Sequence, residues 1–503
     1  MRTGRLAKQH QASGLDRALR VFSDVRAGEG TSALLLSLNC GLILAAYYII
    51  KPLRDGLVLA EYSAEIKSYL QVANVLALAV IVPLYGRLTD SVPRRRLINV
   101  VTYIFIGLLG LFTLMGLAGL PLGIAFFIYG SVFAVMIVAQ FWSFANDIYR
   151  REEGERLFPI IAFGASLGGA LGATFAGQII EPLGLYIPMA LAAVVLFIQL
   201  QITNYVDKRE RAVREAHLPD IKSTATIAAS GLMPAPKSLD ELEEMAAIEK
   251  AIFEAKERGD DVQEPEQGSG QSAFALVWHT RYLLLICLLV MLLNWVNTNG
   301  EFILGKVIET AAAEAIASGT TQLSEGAFIG SFYANFYAVV NVVGLLVQLF
   351  LTSRIVKFAG VHRAVMILPI ISMGVYTIMA FIPVLAAVRW SKTAENATDY
   401  SLNNTVRNML FLPTTREQKY KGKQVSDSFF HRAGDVMSSA TVFIGSSVLA
   451  LGTTAFALIN LGLVAVWLII AVAIGRAYSE LVETGQPPPT RRKSVAHPFA
   501  SGT

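Results

Sequence analysis

Cysteine is nearly missing: two occur in 503 residues. Both Cys40 and Cys287 sit inside apolar runs, so no disulfide framework is suggested, and no metal-ligand spacing exists. Charge is scarce as well. Asp, Glu, Lys and Arg make up 16% of the chain against 54% hydrophobic residues, and the mean hydropathy is +0.52. That balance excludes an ordinary soluble enzyme. There is no Gly-Lys-Ser or Gly-Lys-Thr phosphate loop, so a pump that hydrolyses a nucleotide is not expected and any transport must run on gradients. No short N-terminal apolar run precedes a cleavage-like site, and Asp16, Asp24 and Glu29 stand among the first arginines. Neither a signal peptide nor a transit peptide is expected.

Long apolar runs, by contrast, are plentiful. They fall at about 31–53, 66–86, 97–119, 122–145, 157–180 and 186–205, and resume at about 282–305, 327–352, 364–384, 386–411, 429–451 and 455–477. Each approaches or exceeds the ~20 residues a helix needs to cross a bilayer. The chain is therefore read as an all-α, twelve-helix membrane protein in two six-helix bundles. A tail (1–30) precedes the first bundle (31–205), and a linker (206–275) leads to the second (276–480). Residues 481–503, with Pro487–Pro489 and Arg491–Lys493, are expected to be a disordered tail. In the linker, Ser238 and Glu241 form a capping-box pattern ahead of Leu242, Met245 and Ile252, which predicts a short amphipathic helix. Basic residues collect in the first tail (Arg2, Arg5, Lys8, Arg17, Arg20, Arg26), after the second run (Arg87, Arg94, Arg95, Arg96) and after the tenth (Arg416, Lys419, Lys421, Lys423). The loops near 120, 181 and 453 carry none. This asymmetry puts both termini in the cytoplasm, and it accounts for the net charge of +4 without invoking nucleic acid.

The tenth run breaks the apolar rule. Arg389, Lys392, Asn396, Asp399, Asn403 and Arg407 are spaced three or four apart, which is one stripe of an α-helix, and Glu395 stands beside them. An ionisable group in a bilayer costs a few kcal/mol or more, so such a stripe faces a partner or a watery cavity. Polarity recurs in every third helix. The first run ends in Tyr47, Tyr48, Lys51, Arg54 and Asp55; the fourth carries Gln140, Ser143, Asn146 and Asp147; the seventh carries Asn294, Asn297 and Glu301. The third, sixth, ninth and twelfth are almost purely apolar, as lipid-facing helices should be. The halves also repeat faintly: Gly86–Leu97 matches Ser353–Ala364, and Arg151–Arg156 matches Arg416–Lys421. Such duplication is the build of many secondary transporters.

Residues 86–97 also resemble the signature loop of the major facilitator superfamily, with Pro93 where a glycine is usual. By that resemblance Asp90 and Arg94 form a cytoplasmic latch, and helices 1, 4, 7 and 10 line a central cavity. Longer segments resemble the ATP/ADP antiporter family of plastids and intracellular bacteria. They are Tyr47–Gly56 (Tyr-Tyr-Ile-Ile-Lys-Pro-Leu-Arg-Asp-Gly), Phe141–Asp147, Thr298–Glu301, Ala394–Thr405 and Phe429–Asp435. The wording differs in places: Arg54-Asp55 stands where that family has Lys-Asp, and Arg432-Ala-Gly434 where it has a lysine near a glycine pair. The resemblance implies a bacterial inner-membrane carrier, with no enzymatic activity and no cofactor, that exchanges nucleotides. The expected assembly is a monomer.

The residues expected to contact such a solute are Tyr48, Lys51, Arg54, Asn146, Asn297, Glu301, Lys392, Asn396, Asn403, Arg407 and Arg432. Guanidinium forks and ammonium groups suit phosphates. Asp55, Asp147, Glu301, Glu395, Asp399 and Asp435 are candidates for gating or proton coupling. A structural alternative stands beside both: Lys392 pairs with Glu395 or Asp399, and Arg54 with Asp55, only to avoid a lone buried charge. Tyr47, Tyr48, Trp142 and Trp295 are candidates to stack an adenine ring. Gly164, Gly168 and Gly172 in the fifth helix read as close helix packing. A second functional reading is a proton- or sodium-coupled carrier of another organic anion, a peptide or a cell-wall fragment, favoured by cavity carboxylates about as numerous as the cations.

Overall fold

The computed structural model describes residues 25–26, 29–149, 151–217 and 272–490, and among these there are helices and turns but no strand. The chain divides into residues 201–271 as one unit and the remainder as the other. Of the first, only 201–217, the end of the sixth helix, is described; the amphipathic helix expected at Ser238–Ile252 lies outside the described residues. Everything below concerns the larger unit.

Among the described residues, twelve helical runs of membrane-crossing length follow one another. They are α1 (Gly30–Glu61), α2 (Ala64–Ser91), α3 (Arg94–Leu117), α4 (Gly123–Ile148), α5 (Arg151–Leu183), α6 (Ile187–His217), α7 (Arg281–Ala317), α8 (Glu325–Ala359), α9 (Val361–Phe381), α10 (385–409), α11 (416–448) and α12 (Thr453–Thr484). Ten of them are apolar enough to be recognised as spans by composition alone. The other two, α10 and α11, carry a higher share of polar and charged residues. The protein is thus a multi-pass membrane protein.

Local chemistry sets several helix starts. Ser63 and Ser324 accept hydrogen bonds from the amides of Ile66 and Ala327, and Thr415 forms a reciprocal capping box with Gln418. That last cap corrects one expectation. The basic stretch Arg416–Lys423, read as a loop, is the first turns of α11. The tail is corrected too: residues 481–484 extend α12, Gly485 ends it in a left-handed turn (φ 65°), and Pro488 is buried. The Gln418 Nε2 donates to the Pro488 carbonyl at 2.9 Å, which ties the tail to α11.

Four segments widen into π turns: Val347–Thr352 in α8, Asp399–Asn403 in α10, and Ser426–Phe430 and Phe443–Val448 in α11. All four lie in the second half. The first half carries its irregularities as prolines instead, Pro52 in α1, Pro83 in α2 and Pro159 in α5.

Small residues set the closest approaches. A Cβ on Gly168 would land on the Gly41 backbone, and one on Gly172 on that of Ala45, so α1 and α5 touch through their main chains. The glycine spacing of α5 is therefore packing, as read. Between the halves, α1 packs on α8 in the same manner: a Cβ on Gly56 would lie 2.9 Å from the Gly326 carbonyl oxygen and 3.0 Å from the Gly330 Cα.

Candidate functional site

The bonds that join the halves gather at the end of the bundle opposite the basic loops. The centre of this layer is Asp55, whose side chain is 0% exposed. It accepts from the Arg54 guanidinium at 3.2 Å and from the Tyr337 hydroxyl of α8 at 2.8 Å, and it forms an ion pair with the Lys67 ammonium of α2 at 3.1 Å. Lys67 also reaches the Tyr333 hydroxyl at 3.4 Å and lies 4.6 Å from the centre of its ring. Around this core, Lys306 pairs with Glu65 at 3.2 Å, Ser331 donates to Glu181 at 2.8 Å, and Ser439 donates to the Ser68 carbonyl at 2.7 Å. A carboxylate this deep, shared by two cations and a hydroxyl, makes a plug across the two halves. Arg54 and Asp55 do pair, as the structural alternative expects, and both side chains are largely buried.

One helical turn deeper along α1 stands Lys51, and its setting is different. Its ammonium lies 3.8 Å from the centre of the Tyr337 ring, 5.5 Å from Tyr48 and 5.9 Å from Tyr400. Among the described residues no carboxylate comes within ion-pair distance of it. A cation–π contact contributes about 0.5–2 kcal/mol, whereas the penalty for taking an ammonium out of water is several kcal/mol. Besides the three tyrosines, the carboxylates of Glu301 and Asp55 act on Lys51 only from beyond ion-pair distance.

Lys392 on α10 is the reverse. It is 0% exposed and fully engaged: Glu395 at 2.8 Å, Glu301 of α7 at 3.7 Å and the Asn297 side-chain oxygen at 2.7 Å. Glu395 in turn accepts from Ser372 at 2.7 Å and Tyr376 at 3.2 Å, both on α9. Asn396 donates to Glu301 at 3.2 Å. The structural alternative thus describes Lys392 and Glu395 well, although Asp399 is not the partner. Glu301, half-buried, is the member of this network still partly open.

Further along α10 and α11 lie the remaining predicted residues. Asp399 accepts from Asn403 at 2.8 Å, across the π turn that both delimit. Arg432 pairs with Asp435 at 3.3 Å, and Asp435 also accepts from Thr298 of α7 at 3.0 Å. Arg407 is half-buried and has no ion-pair partner among the described residues. Both Arg407 and Arg432 act electrostatically on His431, so they share one neighbourhood. Lys51, Glu301, Lys392 and Asn396 belong to the middle of the bundle; Arg407 and Arg432 belong to a second cluster.

Several predicted residues are not brought into these clusters. Asn146 is exposed, and the side chains of Asp147, Asp90 and Arg94 lie outside the described residues. Trp142 is spent on packing, edge-on against Phe141 and Phe158, and the Trp295 indole donates to Thr441 at 2.9 Å.

Sequence reasoning missed Lys67, Tyr333, Tyr337 and Tyr400 as site members. The signal for two of them was present: Tyr333, Tyr337 and Asn341 recur every fourth residue of α8. It also took α9 and α12 as lipid-facing. Yet α9 supplies Ser372 and Tyr376, and Asn460 of α12 bonds Asn299 at 2.9 Å and the Val296 carbonyl at 3.0 Å.

Comparison with known proteins agrees with this architecture. A family model described as Major Facilitator Superfamily matches residues 31–412. Two curated relatives are each called ADP,ATP carrier protein 1. That of Rickettsia conorii is 20% identical over 485 residues, covering 88% of this chain and 92% of the relative. That of Chlamydia pneumoniae is 20% identical over 391 residues, covering 70% and 67%. Among solved structures, a POT family transporter in complex with 5-aminolevulinic acid superposes with a TM-score of 0.57 at 12% identity, over 90% of this chain and 96% of that one. The nucleoside transporter NupG gives 0.52 at 11% identity over 90% and 99%. A D-xylose-proton symporter gives 0.54 at 13% identity over 91% and 99%.

Proposed function

The chain belongs to the major facilitator superfamily, and on that premise we propose that it is a carrier that exchanges nucleotides of the ATP and ADP kind by alternating access. The observation that carries this reading is Lys51: an ammonium deep in the bundle, held by three tyrosine rings and by no carboxylate. Phosphate oxygens supply what it lacks, and Tyr48 and Tyr400 offer ring faces for a base. The curated relatives' name, ADP,ATP carrier protein, speaks for the same solute class.

In this reading Asp55, Lys67 and Tyr337 are the outer gate, and the closure around Asp55 corresponds to a form open toward the cytoplasm. With both termini cytoplasmic, the basic loops face the same side, and residues 86–97 and 353–364 share it because six crossings separate them. Glu301 is the mobile member of the central network. Substrate phosphates drawn to Lys51 and Arg407 neutralise the cations and permit the halves to close. An empty, positively charged cavity closes poorly, and this difference between states is what enforces exchange. A monomer suffices, since every group invoked lies within one chain. The host is a bacterial inner membrane.

Counterflow in proteoliposomes tests the proposal. Labelled ADP should accumulate in vesicles loaded with ATP and not in empty ones, with little response to a pH gradient. A second reading, a proton-coupled carrier, is favoured by the partly open carboxylate of Glu301 beside Lys392. The variant Glu301→Gln separates the two. Under exchange it impairs counterflow and net uptake together; under proton coupling it keeps counterflow and loses only pH-driven accumulation.

A further inference from the structure

At the junction of α8 and α9 the chain turns at Gly360, whose φ of 74° favours glycine. The residues after it, Val361–Ala364, lie on the end of α12. There Gly475 makes room: a Cβ on it would come within 2.5 Å of the His362 carbonyl oxygen. This seating leaves a groove of about 460 Å³ between the start of α9 and the end of α12.

The groove has an unusual charge content. Arg363 and Arg476 line it, with His362 and the Ser479 hydroxyl between them. Both arginines are exposed, and among the described residues neither has an ion-pair or hydrogen-bond partner. Glu480 and Glu483 line the same groove, and their carboxylates are likewise unpaired among the described residues. Two cations and two anions share one groove without pairing with each other. Met366 and Val472 supply its apolar part. Two turns further into the membrane, Ile370 on α9 and Ile469 on α12 are exposed, at 56% and 69%. Below the charges, therefore, runs a surface for hydrocarbon.

We propose that this groove binds the headgroup of a zwitterionic phospholipid bearing a primary amine. The phosphodiester lies against Arg363 and Arg476, whose forks suit its oxygens, the ammonium lies against Glu480 and Glu483, and the acyl chains run down α9 and α12. An anionic headgroup satisfies the arginines and leaves both carboxylates facing a like charge. A quaternary amine brings no N–H donor to them. The site is separate from the central cluster and stands whether or not the solute is a nucleotide.

Native mass spectrometry of the full chain released from nanodiscs tests this, with equal parts phosphatidylethanolamine, phosphatidylcholine and phosphatidylglycerol. The wild type should retain phosphatidylethanolamine above the other two. The double variant R363Q/R476Q should lose it, by about fivefold for each arginine removed. E480Q/E483Q should invert the preference toward phosphatidylglycerol. Size exclusion and counterflow report whether each variant is folded. Equal retention of the three lipids by the wild type overturns the proposal, as does unchanged selectivity in both variants. Displacement of the lipid by soluble phosphoethanolamine at equal concentration also overturns it, because the acyl chains would then contribute nothing.

Discussion

Lys51 and Lys392 are both lysines inside membrane helices, and their neighbours treat them in opposite ways. Lys392 has two carboxylates and an amide oxygen within 3.7 Å; Lys51 has three aromatic rings. The first is an internal strut whose charge is settled before any ligand arrives. The second is a charge left open. A positive residue in a cavity is thus no evidence of recognition by itself; the state of its partners decides.

Removing one partner of the settled pair should have the largest effect. Lys392→Ala leaves Glu395 buried without its cation, and breaking a buried pair in this way costs about 3–5 kcal/mol. The expected outcome is a loss of folded protein, read by thermal unfolding in detergent. Lys392→Met combined with Glu395→Gln should recover most of it, because then the only carboxylate left without its cation is Glu301, which is partly open. If the single and double variants unfolded alike, the contrast between the two lysines would be lost.

Lys51→Ala should do the opposite, leaving stability close to the wild type and removing affinity. Truncating one member of a desolvated charge contact costs about 2 kcal/mol or more, a fall of at least thirtyfold in affinity for a phosphate-bearing solute. Competition by unlabelled solute in the counterflow assay measures it. Wild-type affinity in this variant would remove the aromatic cage from the site.

Lys67→Gln sharpens the comparison from the gate. Asp55 keeps Arg54 and Tyr337 but loses one of its two ion-pair partners. The closed outer end should weaken, and a cysteine placed at Ser331 should then be alkylated faster by an impermeant maleimide added outside. An unchanged rate would show that Lys67 does not hold the gate.

The smallest effect is expected at Glu29, outside the spans, which Arg156 bridges at 2.8 Å. Burial alone would raise its carboxyl, but the hydrogen bonds from the Arg156 guanidinium and the Arg26 amide, with the charges of both arginines, together outweigh it and hold the group below the ordinary 4.5. A group lowered in this way stabilises the fold at neutral pH and loses that contribution as pH falls below about 4.5 toward its folded value. Glu29→Gln should shift unfolding by less than ~1 kcal/mol at pH 7, and the difference from the wild type should shrink in acid.

Most of the architecture was legible from apolar run length, because the bilayer allows few alternatives. The stripe on α10 was legible too, since a charged residue in a membrane helix demands a reason. What escaped was geometry that periodicity cannot carry. The stripe runs through a π turn at Asp399–Asn403, and its members Lys392 and Arg407 stand about 22 Å apart along the axis, so residues drawn on one face fall into two clusters. Lys67, alone near the start of α2, reads as an interfacial residue until Asp55 is seen beside it. Ser372, Tyr376 and Asn460 are single polar residues in apolar helices, too sparse to form a pattern. Their meaning comes from the carboxylate or amide each one meets across a helix interface.

The approach of α1 to α8 at Gly56, Gly326 and Gly330 carries a last consequence. A carrier in a membrane that stores energy as a proton gradient must not let protons slip past while it works. Side chains seal imperfectly, because each rotamer change opens room for a file of water. Where two helices meet main chain to main chain, no rotamer exists to open. The closure around Asp55 therefore has a rigid stop beside its ion pairs, and its tightness to protons should depend on the absence of three side chains rather than on the presence of any.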